Sequence, residues 1–122
     1  PKCTLKVSER EFMGQIIALA RMCGWLCFHP YDSRRSAPGW PDLAMVRPSC
    51  GNEPARLVLA EIKSDRGKLT AEQTEWLSVL GQVPSAEVFC WRPCDWDAIV
   101  SVLKTDAGAV GCDRRAPQSG IS

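Results

Sequence analysis

Residues 56–63, RLVLAEIK, constrain this chain more than any other stretch. The run is apolar at Leu57, Val58, Leu59, Ala60 and Ile62, so as a strand it has two faces to bury. That demand fits a central place in a sheet. The run nevertheless closes on Glu61 and Lys63. Side chains alternate along a strand, so these two share a face while Ile62 points away. An acid and a lysine at the end of a buried strand call for an explanation.

The flanking segments supply the layers such a strand needs. Residues 8–23 predict a helix, with Ser8 as N-cap and Glu11 completing a capping box. Phe12, Ile16, Leu19 and Ala20 form one apolar face, with Met13 and Ile17 at its margin. Glu9 falls on that face, whereas Glu11 projects from the opposite side. A carboxylate on a buried face is costly unless something pairs with it, which makes Glu9 a site candidate. Gly24 ends the helix, and WLCFH (25–29) reads as a short buried strand. After a polar loop at 30–39 comes PDLAMV (41–46), a second strand with proline at its first position. RPSCGNEPA (47–55) reads as a hairpin-like connection, and SDRGK (64–68) turns the chain after the central strand.

A second helix is expected at about 70–81, capped by Thr70 with Gln73 at the third helical position. Its apolar face would be Trp76, Leu77 and Leu80. AEVFCW (86–91) is a fourth strand, broken by Pro93, and a last helix runs from about Asp95 to Leu103 with Trp96, Ile99 and Val100 inward. The order α-β-β-β-α-β-α predicts one α/β domain over residues 8–103, a mixed sheet flanked by helices. Beyond it, residues 104–122 lack periodicity and read as a mobile tail.

A chain of 122 residues can bury a core of its own without disulfides or a structural metal. No apolar run approaches a membrane span, and the N-terminal PKCTLKVSER lacks the apolar core of a signal peptide. The expected setting is the cytoplasm, where the seven cysteines would stay reduced. Cys23/Cys27 and Cys90/Cys94 form two C-x-x-x-C pairs, but each straddles a helix–strand junction, a poor frame for a zinc site. The net charge of +1 is too small to establish a nucleic-acid partner, although its distribution is uneven. Arg34, Arg35, Arg47, Arg56, Arg66 and Lys68 outnumber Asp32, Glu53 and Asp65 between positions 31 and 68. A phosphate backbone would be drawn to such a surface.

If the second and third strands pair as a hairpin, Asp42 lies beside Glu61, and two carboxylates meet Lys63 at a sheet edge. Hard oxygen ligands of this kind hold Mg²⁺ or Mn²⁺. A bound ion lowers the pKa of a water and offsets phosphate charge. A lysine alongside orients the water or stabilises developing charge. It also offsets repulsion between the paired acids.

With Pro41-Asp42 followed by Glu61-Ile62-Lys63, the sequence resembles the PD-(D/E)xK nucleases, and within them the VRR-NUC domains. The surrounding SRRSAPGWPDL, LAEIKSDRGKLTAEQ and VFCWRPCDW are similar to the small stand-alone VRR-NUC proteins of phages and prophages, over residues 8 to 103. The resemblance implies a restriction-endonuclease-like α/β fold and metal-dependent DNA endonuclease activity. Asp42 and Glu61 would be metal ligands, joined by the Ile62 carbonyl and by Glu9 from the first helix. Lys63 would be the catalytic lysine, and Gln73, on the helix that follows, would join the catalytic residues near the site. Arg34, Arg35, Ser36 and Gly39, in the loop before the PD motif, would contact substrate. The resemblance further implies roles in DNA repair, recombination or phage replication, a bacterial host cytoplasm, and, for some members, a homodimer that resolves Holliday junctions.

The residues admit plainer roles too. Asp42 could cap a turn, Glu61 and Lys63 could be a surface pair, Glu9 a first-turn helix acid, and Gln73 a capping partner of Thr70. His29 more often packs than reacts in such a place. Trp40 is the one tryptophan placed to meet a base. The functional alternatives are a flap- or end-processing nuclease, or a nucleic-acid-binding module whose nuclease fold no longer cuts.

Overall fold

The computed structural model describes residues 7–30 and 37–104. Helix α1 (Glu9–Met22) leads to β1 (Leu26–Phe28), β2 (Leu43–Arg47) and β3 (Arg56–Ile62). Helix α2 (Ala71–Leu80), strand β4 (Ala86–Trp91), a 3₁₀ turn (Pro93–Asp95) and helix α3 (Trp96–Lys104) complete the chain. The result is mixed α/β, a four-stranded mixed sheet with three helices. The order is β1-β2-β3-β4, antiparallel except for the parallel β3–β4 pair. The three helices and the second to fourth strands fall within two residues of their expected bounds. None of the helices described here is long and apolar enough to cross a membrane.

One face of the sheet carries the core. Phe12, Ile16 and Ala20 of α1 and Ile99 and Leu103 of α3 close over Leu43, Met45, Val58, Ala60, Ile62 and Trp91. Each fully buried aliphatic or aromatic side chain there contributes about 1.5–3 kcal/mol. α1 starts with the expected capping box: the Glu11 amide donates to Ser8 Oγ (3.0 Å) and the Ser8 amide to Glu11 Oε1 (3.1 Å). At the far end of the core, the Trp25 indole N–H donates to the Leu103 carbonyl (3.1 Å).

The opposite face is covered unevenly. α2 packs over β4 and leaves the β1–β2 half open, so Leu26 and Phe28 are 69% and 62% exposed. β1 is therefore an exposed edge rather than the buried strand its apolar sequence predicts; only Trp25, just before it, is buried. No α2 side chain is fully buried either, and Trp76, Leu77 and Leu80 are half-covered. In α3, Leu103 joins Ile99 in the core, while Trp96 and Val100 are half-buried.

Two of the basic residues assigned to a phosphate-attracting surface serve the core instead. Arg47 is 5% exposed with its guanidinium over the Trp25 ring. Arg56 lies over the same ring, makes two bonds to Glu87 (2.7 and 2.6 Å) and donates to the Val102 carbonyl (3.0 Å). Their positions on β2 and β3 turn both toward Trp25, where cation–π contact offsets their desolvation. Cys23, Cys27, Cys90 and Cys94 are free thiols, and no three His, Cys, Asp or Glu side chains gather as a metal cluster among the described residues. Burial pushes the Cys27 and Cys90 thiols up, partly offset by Arg21 and Arg92 respectively. Cys50 is disulfide-bonded, contrary to the expectation of reduced thiols throughout. The expected tail lies outside the described residues, Lys104 excepted.

Candidate active site

The β2–β3 register pairs Leu43 with Ala60, so one step further Asp42 faces Glu61. β2 begins only at Leu43, which leaves the Ile62 amide without a strand partner on that side. Asp42 takes it: the Ile62 amide donates to Asp42 Oδ2 (2.9 Å). Ile62 itself is a core residue, 2% exposed. Glu61 points the other way, off the core face, and is nonetheless 2% exposed. Its Oε2 accepts from Gln73 Nε2 (2.9 Å), and Lys63 Nζ stands 4.0 Å from the same oxygen. Its Oε1 is buried with no hydrogen-bond donor beside it.

The charge state of Glu61 follows from this setting. Burial, the adjacent Asp42 charge and a hydrogen-bonding contact with Asp42 push its carboxyl up to about 8. Glu9 adds to the rise and Lys63 opposes it. Two facing carboxyls that share one proton would equally accommodate one cation, which satisfies the orphaned oxygen and removes the need for the proton. On that observation Asp42 and Glu61 fit a hard divalent ion.

Glu9 reaches the same corner from α1. Its carboxylate accepts the Ser64 amide at Oε2 (3.0 Å), yet the residue is exposed, not buried as its place on the apolar face predicts. The Ser64 amide supplies the pairing that a buried acid would otherwise need. Gly67 shows how closely these groups gather. A Cβ there would lie 3.1 Å from Ser64 Oγ, 3.3 Å from Lys63 Cδ and 3.6 Å from Glu9 Oε2.

Comparison with family models, curated proteins and solved structures gave no match.

Gln73 holds two posts at once. Its Oε1 accepts the Thr70 amide (2.9 Å) in a capping box while its Nε2 reaches Glu61. Gly39 serves α2 rather than an open loop. It has φ +88°, and a Cβ there would fall 2.5 Å from the Glu72 backbone carbon. Alongside, the Trp76 indole donates to the Pro38 carbonyl (3.0 Å), and Trp40 packs edge-on against Trp76 with centroids 5.0 Å apart. Trp40 thus has a partner within the chain, and both rings are half-buried. Arg34, Arg35 and Ser36 lie outside the described residues; Arg66 and Lys68 are exposed on the turn after Lys63. Sequence reasoning missed Ser64 and Arg92, whose contacts depend on how the chain folds back after Lys63. A polar SDRG turn carries no signal of that.

Proposed function

We propose that this chain is a metal-dependent nuclease that hydrolyses DNA phosphodiester bonds, with a restriction-endonuclease type of fold and a site of the PD-(D/E)xK, VRR-NUC kind. The observation that carries the reading is the buried Glu61 carboxyl, whose Oε1 takes no donor, set against Asp42 with Lys63 alongside. Solvating such a carboxyl pair with a proton alone is a poor use of a strand end, whereas a divalent ion suits it. Asp42, Glu61 and the Ile62 carbonyl would hold Mg²⁺ or Mn²⁺, with Glu9 as a further acid at the rim. The ion would supply charge neutralisation at the phosphate and a water acidic enough to attack it. Lys63, beside Glu61, would orient the attacking water or meet charge developing on the phosphate. Gln73 holds Glu61 in place through Oε2, leaving Oε1 for the ion. The substrate is DNA, with Arg66 and Lys68 near enough in sequence to the site to meet its backbone. Symmetric cutting of a branched junction would require a homodimer.

The test is cleavage of labelled duplex, single-stranded, flap and four-way-junction DNA in Mg²⁺ and Mn²⁺, with Lys63→Ala as control. Metal-dependent cutting that disappears in a folded Lys63→Ala variant supports the reading, and the preferred DNA chooses between junction resolution and end processing. Full cleavage by that variant overturns the assignment of Lys63. No cutting of any substrate by folded wild-type chain favours a binding module.

A further inference from the structure

The turn that follows Lys63 is held from outside by Arg92, the residue immediately after β4. Arg92 Nη1 donates to both the Ser64 and the Gly67 carbonyls, each at 2.7 Å. Ser64 is thereby gripped through both its backbone groups. Its amide donates to Glu9 Oε2, and its carbonyl accepts from Arg92 and from the Gly67 amide (3.2 Å). A second tie runs from the Cys94 amide to Asp65 Oδ1 (3.2 Å). Arg92 is set in turn by its own amide, which donates to Asp95 Oδ2 (2.9 Å) at the start of the 3₁₀ turn. The last rung before the turn, the Lys63 amide on the Trp91 carbonyl (3.0 Å), joins the same two segments.

This turn forms the wall of the site. A Cβ at Gly67 would stand 3.3 Å from Lys63 Cδ and 3.6 Å from Glu9 Oε2, so displacing the turn changes the space beside the lysine stem and that carboxylate. A charged donor shared by two carbonyls is stronger than a neutral bond, and no helix or strand ladder holds residues 64–67 otherwise.

We propose that Arg92 is a positioning residue for the nuclease site proposed above: by clamping the 64–67 turn it fixes the Lys63 stem and the Glu9 carboxylate relative to Glu61. The inference rests on the nuclease reading for its catalytic half only. Its structural half concerns amide protection and needs no activity.

The experiment compares wild type, Arg92→Met and Arg92→Lys. Amide exchange at Ser64 and Gly67, followed by NMR, should quicken by about tenfold in Arg92→Met and recover in part in Arg92→Lys, which restores a charged donor. In the cleavage assay kcat should fall by about 10²-fold in Arg92→Met with KM for DNA little changed, and again recover in part in Arg92→Lys. Unchanged exchange at both amides overturns the clamp. A raised KM with a shallower salt dependence of DNA binding makes Arg92 a phosphate contact and overturns the positioning role. Quickened exchange with unchanged kcat overturns the catalytic half. A wild type that cuts no DNA overturns the nuclease reading and that half with it, while the exchange result still decides the clamp.

Discussion

Glu61 is an ionisable carboxyl in a buried place, and its two protonation states have different consequences for the fold. Its carboxyl is pushed up to about 8, chiefly by burial and by Asp42, against an ordinary value of 4.5. The folded chain therefore keeps a proton that the unfolded chain has released. The Glu61 contribution to folding stability is fully present below about 4.5 and is lost as pH rises toward about 8, by at most about 1.4 kcal/mol per pH unit. Urea unfolding between pH 5 and 8 should show this decline, and Glu61→Gln, which cannot ionise, should flatten it. A wild-type profile that stays level would remove the buried acid pair from the account. Saturating Mn²⁺ should also flatten the decline, because the ion then replaces the proton. At Gly39 the backbone leaves no latitude. Gly39→Ala combines a left-handed φ with a clash against α2 and should cost at least about 2 kcal/mol, read as a lowered denaturation midpoint.

The element that most depends on one residue is α2, which buries none of its side chains fully and so gains little from the core. Its N-terminus is fixed by the Thr70–Gln73 capping box, and the same Gln73 is its link to the site. Gln73→Glu separates these roles. The carboxylate preserves the acceptor for the Thr70 amide and suits a helix N-terminus, so the melting temperature should hold within a few degrees. It places a further acid against Glu61 in exchange for a donor, so cleavage should fall by at least about tenfold. Unchanged cleavage in a chain of unchanged melting temperature would instead make Gln73 a cap and nothing more. Thr70→Ala, which removes the other half of the box, should cost about 1 kcal/mol.

Across the whole molecule, Arg56 joins what the sheet alone would not. It bonds Glu87 on β4, the Val102 carbonyl on α3 and the Trp25 ring, tying the central strand to its neighbour and to the helix beneath. Arg56→Ala leaves Glu87 and a helix-end carbonyl without their donor and should lower stability by about 2 kcal/mol in thermal or urea unfolding. It lies at the strand end away from Glu61, so metal-dependent cleavage at low temperature should persist. Loss of cleavage in a folded Arg56→Ala chain would instead place Arg56 among the DNA contacts.

Local rules were enough for much of this. The capping boxes at Ser8 and Thr70 depend on residues three apart, and the helices follow from the spacing of Phe12, Ile16 and Ala20 or of Ile99 and Leu103. The apolar run before Glu61 marks the central strand, and a hairpin register is enough to place Asp42 beside it. Long-range placement required the tertiary structure. Apolar content cannot tell a covered strand from an open edge, so Leu26 and Phe28 looked buried. Arginine reads as surface until Trp25 is seen beneath Arg47 and Arg56. Glu9 is exposed although it shares the apolar face of its helix, and Arg92 reaches the turn after Lys63 because β4 ends beside it. The sequence by itself determined the elements, which depend on neighbours in the chain, and the acid–lysine set as far as a hairpin register carries it. Only the tertiary structure decided which charges meet and which faces stay open, since those depend on how the layers overlap.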